Sequence, residues 1–172
     1  KNCITGAKLA KIPGSVCAGC YALKGRYMFK NTKSAHQLRQ ESLDHPQWVE
    51  AMAVQIKRQK WFRWHDAGDL QSVQHLKNII AVCKLTPGTR HWLPTREAQI
   101  LKEFTPDMIP TNLIIRLSSH MINQGPVKQW PHTSTVTDGE GRTCPAPDQG
   151  GICGSCRSCW NKDVPNVEYG KH

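Results

Sequence analysis

Apolar residues in the middle of the chain recur at helical spacing in some segments and form short continuous runs in others. Over residues 44–59 the spacing predicts a helix, with Asp44 as its N-cap and Pro46 in its first turn. Its apolar stripe consists of Trp48, Val49, Met52 and Ile56. Ser72 caps a second predicted helix, which ends at the breakers of 86–88. The stripe of this second helix consists of Val73, Leu76, Ile80 and Cys83.

Short apolar runs between the predicted helices indicate strands. The segments are WFRWHDAGD, which ends in a tight turn, then RHWLPT and NLIIRLSS, with a further helix predicted over 96–104. Alternation of strands and helices with short connections predicts parallel strands joined by right-handed crossovers, which is the α/β class. Beyond Ser119 the regular pattern fades, although TSTVT at 133–137 is one more candidate strand.

Cysteine-rich segments lie at both ends of this core, and residues 1–33 are expected to form a loop. At 172 residues the chain has the size of one domain. We expect one compact unit made of an α/β core with its N-terminal cysteine loop over 1–119 and a cysteine-rich segment over 120–172. No run of eighteen apolar residues occurs, so we expect no contact with a membrane through a spanning helix.

Cysteine usage indicates metal binding rather than disulfides. Eight cysteines in 172 residues fall below the share typical of small disulfide scaffolds, which is about 8–10%. The segment KNCITG lacks the profile of a secretory signal, so we expect a reducing cytoplasm, where thiols at two-residue spacing are usually metal ligands. Cys83 is the exception, because it lies on an apolar helical stripe and is predicted to be a core residue.

Four cysteines near the C-terminus form the pattern C-x8-C-x2-C-x2-C. They are Cys144, Cys153, Cys156 and Cys159. Gaps of two residues form tight loops, so successive thiolates can point toward one centre. Bacterial ferredoxins bind a [4Fe–4S] cluster with such a run and a fourth cysteine from elsewhere in the chain. Zinc is the rival metal, since four thiolates also make a closed tetrahedral site. Zinc sites usually pair two C-x2-C units across a longer spacer, so the spacing favours a cluster.

The three N-terminal cysteines, Cys3, Cys17 and Cys20, have no obvious fourth partner. A [4Fe–4S] cluster held by three thiolates keeps one iron open to a small ligand, much as a catalytic zinc keeps one position free. In the alternative, His36 or a C-terminal cysteine completes a closed site that joins the two ends of the chain. The sequence leaves open whether the protein holds one cluster or two.

Positive charge is concentrated in the first 63 residues, which carry twelve Lys and Arg against three acids. Such a basic segment is typical of a surface that binds phosphates, so nucleic acid is a candidate partner. The alternative is a set of solvated helix faces on a basic protein. The candidate phosphate contacts are Lys24, Arg26, Lys30, Lys33, Lys57, Arg58 and Lys60.

Three cysteines in a loop ahead of alternating strands and helices resemble the start of radical S-adenosylmethionine (radical SAM) enzymes. The stretch HDAGDLQSVQHLKNII is similar to the turn that follows the second barrel strand in that family, with Gly68 and Asp69 where the methionine amino group is received. The resemblance implies an abbreviated partial (β/α) barrel with parallel strands, whose ends supply cofactor contacts. The candidate cofactor-binding residues are Asp66, Gly68, Asp69, Thr95 and Ser118.

The same resemblance implies a function. The open iron would bind S-adenosylmethionine, and an electron from a donor would cleave it to a radical that abstracts hydrogen from a substrate. The second cluster would relay electrons or bind substrate. The stretches RWHDAGDL and LPTRE are also similar to a family of small cysteine-rich proteins encoded by bacteriophages, which would place the protein in the cytoplasm of a bacterial host.

Other interpretations of the same residues stay open. In one of them, Asp69 is only a helix-capping acid, whose negative charge interacts favourably with the N-terminus of the following helix. The clusters would then belong to an electron-transfer or redox-sensing protein that does not use S-adenosylmethionine. Alternatively, zinc or a cluster would stabilise a basic nucleic-acid-binding module that has no catalytic role.

Overall fold

The computed structural model describes residues 3–171, and five parallel strands form its single sheet. The strands are β1 (Trp61–Arg63), β2 (Arg90–Thr95), β3 (Leu113–Ser118), β4 (Thr133–Thr137) and β5 (Asn166–Gly170). They lie in sequence order across the sheet, which curls into a half-barrel flanked by helices. The α/β class and the partial barrel of parallel strands are therefore confirmed.

Within the described residues, five α-helices surround or precede the sheet. They are α1 (Ile4–Leu9), α2 (Lys30–Glu41), α3 (Trp48–Ile56), α4 (Val73–Leu85) and α5 (Ala98–Leu101). Ser72 caps α4 as the sequence predicts, because its hydroxyl oxygen accepts a hydrogen bond from the His75 backbone N–H at 3.0 Å. Within residues 3–171, no helix is long and apolar enough to cross a membrane.

Several predicted boundaries differ from the structure. Asp44 is not the N-cap of α3; it ends a short 3₁₀ turn, and the His45 imidazole instead accepts a hydrogen bond from the Gln47 N–H at 3.2 Å. The helix predicted over 96–104 is shorter in the structure, where α5 ends at Leu101. Thr105, the residue before Pro106, is extended, as is usual for a residue that precedes proline. Residues 1–33 were expected to form a loop, but they contain α1. The sequence pattern also gave no indication of β5.

The helices pack on one face of the sheet and form the main core there. Leu93 of β2 and Ile115 of β3 meet Leu76 and Ile79 of α4, and all four are at most 1% exposed. Cys83 is fully buried in the same core, which confirms its predicted role as a small apolar residue. This face is the outer face of the half-barrel, because crossover helices of parallel strands lie outside the curl.

The C-terminal segment covers the other, inner face. Trp92 of β2 packs there with Cys159 and Val167. The indole N–H of Trp160 donates to the Phe62 carbonyl oxygen at 3.1 Å, which fixes the segment against β1. The C-terminal cysteine-rich segment is therefore a layer of the fold that covers the inner face of the sheet.

Candidate metal centres

The three N-terminal cysteines come together beside the carboxyl ends of β1 and β2. A Cβ atom at Gly6 would lie 3.6 Å from the sulfur of Cys3 and 3.6 Å from that of Cys17, so these sulfurs are at most twice that distance apart. Burial, together with the charges of Asp69, Cys20 and Cys17, raises the pKa of the Cys3 thiol to about 11. All three thiols therefore share one environment with the Asp69 carboxylate.

A carboxylate from the end of β2 holds this cysteine loop in place. Glu97, only 5% exposed, accepts hydrogen bonds from the backbone N–H and the hydroxyl of Thr5, both at 2.8 Å. Thr5 follows Cys3 by two residues, in the first turn of α1. Farther along the loop, the Val16 N–H donates to the His120 carbonyl oxygen at 2.9 Å. Hydrogen bonds to Glu97 and to His120 thus attach the cysteine loop to the sheet.

Asp69 occupies the turn after β1 with both carboxylate oxygens in use. One oxygen accepts hydrogen bonds from the Leu70 N–H at 2.7 Å and from the Thr95 hydroxyl at 2.6 Å, and the other accepts from the Arg96 N–H at 2.9 Å. Burial raises the pKa of this carboxyl group, whereas these hydrogen bonds oppose the shift. Asp69 does not cap α4, since Ser72 does so, and Gly68 has a positive φ of 93° that suits glycine.

The remaining candidate cofactor residues lie apart from this centre or have other partners. The Asp66 carboxylate accepts a hydrogen bond from the Tyr27 hydroxyl at 2.6 Å, and its carbonyl oxygen accepts one from Tyr21. Ser118 is buried at the end of β3, where its hydroxyl lies 2.8 Å from that of Ser134. The structure therefore groups Gly68, Asp69 and Thr95 with the three cysteines, whereas Asp66 contacts Tyr21, the residue after Cys20, and Ser118 contacts Ser134.

Two charged residues of this centre were missed by the sequence reasoning. Arg96 lies close enough to Cys17 and Asp69 to lower the pKa of each, against the effect of burial. Glu97 holds the loop through Thr5, as described above. Both residues belong to LPTRE, where two consecutive charges directly after a buried strand were a signal that could have been used.

The four C-terminal cysteines line one common pocket, together with Trp160 and Val167. Burial, together with the charges of Cys144 and Cys153, raises the pKa of the Cys159 thiol to about 11. The Cys159 sulfur lies 3.1 Å from the Tyr169 hydroxyl oxygen. Cys156 behaves differently, because hydrogen bonds from Ser158 lower the pKa of its thiol. The predicted cysteine group is therefore brought together.

A buried arginine supports this group from the sheet. Arg116 of β3 is fully buried and donates six hydrogen bonds, all to backbone carbonyl oxygens. Those oxygens belong to Thr133, Ser158, Cys159, Asn161, Val164 and Pro165, at distances of 2.8–3.4 Å. The guanidinium fixes the path of the chain around Cys159 and brings a positive charge close to its thiol.

The seven cysteines thus form two groups, and all eight cysteines are free thiols. Cys3 responds to the charges of Cys17 and Cys20, whereas Cys159 responds to those of Cys144 and Cys153. His36, the alternative fourth ligand, lies beside the Tyr27 ring, with centroids 5.9 Å apart.

Within residues 3–171, no three His, Cys, Asp or Glu side chains form a group that could hold a metal ion. Neither iron–sulfur nor zinc binding is therefore confirmed.

Comparison with known proteins identifies the family. A family model described as Gene product 88 matches residues 3–162. The chain belongs to the gene product 88 family. Membership of the gene product 88 family is consistent with the expected bacteriophage origin. No curated protein and no solved structure matches the chain, so the radical SAM resemblance remains a prediction. The matched range of this gene product 88 protein contains both cysteine groups, Asp69 and LPTRE.

Proposed function

We propose that this gene product 88 protein is an iron–sulfur protein with two cluster sites. The first site, with one iron open to a small ligand, consists of Cys3, Cys17 and Cys20. The second, fully ligated site consists of Cys144, Cys153, Cys156 and Cys159. One observation carries the proposal: the thiols separate into a group of three and a group of four, each with its own surroundings.

The surroundings of the first group support a reactive site. It lies at the carboxyl ends of parallel strands, where ligands of barrel-like folds usually bind. Asp69 is held in one orientation by the hydroxyl of Thr95 and two backbone N–H groups, and Arg96 supplies a nearby positive charge. Bound there, a [4Fe–4S] cluster would supply one-electron chemistry, and Gly68 and Asp69 would orient S-adenosylmethionine for radical chemistry on a substrate.

The surroundings of the second group support a closed cluster. Four metal-bound thiolates carry negative charge, and burying it is costly without a nearby cation. Arg116 provides that cation beside Cys159, and its guanidinium is oriented by carbonyl oxygens of the same segment. A closed cluster at this position would pass electrons from an external donor toward the first site.

The hydrogen bonds of Asp69 favour a second candidate function, which is electron transfer or redox sensing without S-adenosylmethionine. Both of its oxygens already accept hydrogen bonds from the protein, so they are less available to a ligand amino group. In that case the open iron would take another small ligand or none.

Metal analysis of anaerobically purified protein tests the proposal. We expect a brown protein that contains iron and sulfide in equal amounts and little zinc. A variant with Cys3, Cys17 and Cys20 changed to Ala should keep the iron of one cluster. Cys83→Ala is the matched control and should keep all of it, because this cysteine belongs to neither group. Colourless protein with bound zinc, or loss of all iron in the triple variant, would contradict two clusters.

A second experiment separates the two candidate functions. The reduced, iron-loaded protein is incubated with S-adenosylmethionine under anaerobic conditions, and 5′-deoxyadenosine is measured. Formation of this product that depends on Cys3, Cys17 and Cys20 supports the radical function. Full iron content without any product supports electron transfer or redox sensing.

A further inference from the structure

The parallel pairing of β1 and β2 places two tryptophans and two arginines in alternation on the inner face. Trp61 lies opposite Arg90, and Arg63 lies opposite Trp92. The guanidinium carbon of Arg90 is 5.3 Å from the Trp61 ring centroid, and that of Arg63 is 4.9 Å from the Trp92 ring. Both distances are within the range of a cation–π contact, so each arginine rests on the tryptophan of the other strand.

The C-terminal segment adds one more ring and one more cation. The Trp160 ring lies 5.2 Å from Trp92 and 5.8 Å from Trp61, and the Arg157 guanidinium carbon is 5.3 Å from the Trp61 ring. We name this set the arginine–tryptophan patch. It consists of Trp61, Arg63, Arg90, Trp92, Arg157 and Trp160.

The accessible part of the patch is cationic and aromatic. Arg63 and Arg90 are exposed, while Trp61, Arg157 and Trp160 are half-buried. In the described part of the chain, the one salt bridge joins Arg142 to Asp148, so no arginine of the patch forms a salt bridge there. Lys60 immediately precedes Trp61 and is exposed as well.

Fixed aromatic rings continue beyond Arg63 toward the first cysteine group. Arg63 is close enough to Tyr21 to lower the pKa of its hydroxyl, against the effect of burial. The Tyr21 and Tyr27 rings lie 5.5 Å apart, and both hydroxyls donate to Asp66. Because hydrogen bonds to Asp66 hold their hydroxyl groups, the two rings are positioned for stacking with a base and not for insertion into the apolar layer of a membrane.

We propose that the arginine–tryptophan patch binds single-stranded nucleic acid. Proteins that bind single strands combine a cationic surface for the phosphates with aromatic rings on which bases stack. The exposed guanidinium groups of Arg63 and Arg90 supply the first feature, and the exposed ring of Tyr21 supplies the second. The inference is independent of the cysteines, since none of these contacts needs a metal.

Binding of fluorescein-labelled oligothymidylate and oligouridylate, measured by anisotropy over a series of salt concentrations, tests this proposal. The test variant carries Arg63→Ala and Arg90→Ala. The control carries Lys77→Ala and Lys84→Ala, which remove the same charge from exposed positions of α4 on the outer face. For the test variant we expect weaker binding and a salt dependence of log K shallower by about 0.7 for each lost phosphate contact.

Further measurements separate stacking from charge and from other partners. Tyr21→Ala should weaken binding roughly tenfold with an unchanged salt dependence, since loss of one stacked base has about that effect. Equal weakening in the control variant would overturn the proposal, because net charge alone would then explain binding. No binding at low salt, or binding to phosphatidylserine vesicles but not to the oligonucleotides, would overturn it as well.

Discussion

Replacement of Arg116 by Met is expected to release the C-terminal segment from the sheet. Met has a similar length and is apolar, so the change removes the charge and all six hydrogen bonds while filling most of the volume. Six carbonyl oxygens that now face a cation would face a thioether. Some of them keep another donor, as the Pro165 oxygen keeps the Thr133 N–H at 2.8 Å.

The magnitude follows from the burial of the group. A buried carbonyl oxygen left without a donor costs about 1–3 kcal/mol, so two such oxygens cost about 4 kcal/mol, a large share of the total stability of about 5–15 kcal/mol. With a urea dependence of about 2 kcal/mol per molar, a loss of about 4 kcal/mol lowers the unfolding midpoint by about 2 M.

Urea unfolding followed by tryptophan fluorescence measures this shift, and limited proteolysis shows whether cleavage concentrates in residues 138–165. Arg142→Met is the matched control, because its exposed pair with Asp148 contributes about 0–1 kcal/mol. If Arg116→Met unfolds at the same midpoint as Arg142→Met, the carbonyl cluster does not hold the segment, and the stated reasoning is refuted.

Two further predictions concern buried groups away from the patch. His91 is fully buried with its pKa lowered to about 4 by burial, and its Nε2 lies 2.9 Å from a Thr86 hydroxyl that donates to the Val82 carbonyl. Unfolded histidine binds a proton near pH 6.5, so His91 by itself should lower the stability by at most about 3 kcal/mol as pH drops from 6.5 to 4. Urea unfolding across this range should show a smaller loss in His91→Gln, and an equal loss would contradict the assignment. If the proposed cluster is bound, Glu97→Gln should lower the retention of iron by the N-terminal group roughly tenfold, because the amide leaves one Thr5 donor unsatisfied. Iron counts should be unchanged in the exposed control Glu103→Gln, and equal losses in both variants would contradict the positioning role.

Local patterns in the sequence were sufficient for the core of the fold. Strands β1 to β3 are apolar runs between turn residues, and α4 carries both a capping serine and a complete apolar stripe. Cys83 could be assigned to the core because it belongs to that stripe. These features depend on neighbours within a few residues, so periodicity and capping rules identify them.

The parts that could not be predicted depend on contacts between distant residues. Glu97 and Thr5 are 92 positions apart, and Arg116 meets Cys159 43 positions away. Strand β5 has the polar composition NVEYG and gains its place by pairing with β4. The two cysteine groups were recognisable by spacing, whereas the alternation of Trp61, Arg63, Arg90 and Trp92 appears only once the strand register is known.

Under the proposed radical function, the layer that the C-terminal segment forms over the inner face bears on the size of the substrate. A complete barrel can enclose a small molecule in its mouth, but here Trp92 and Arg116 are covered by the chain itself. Reactants of that function would then approach the first cysteine group from the edge where Tyr21 and Arg63 are exposed. An extended polymer that lies across this edge would suit the geometry better than a metabolite that needs enclosure on all sides.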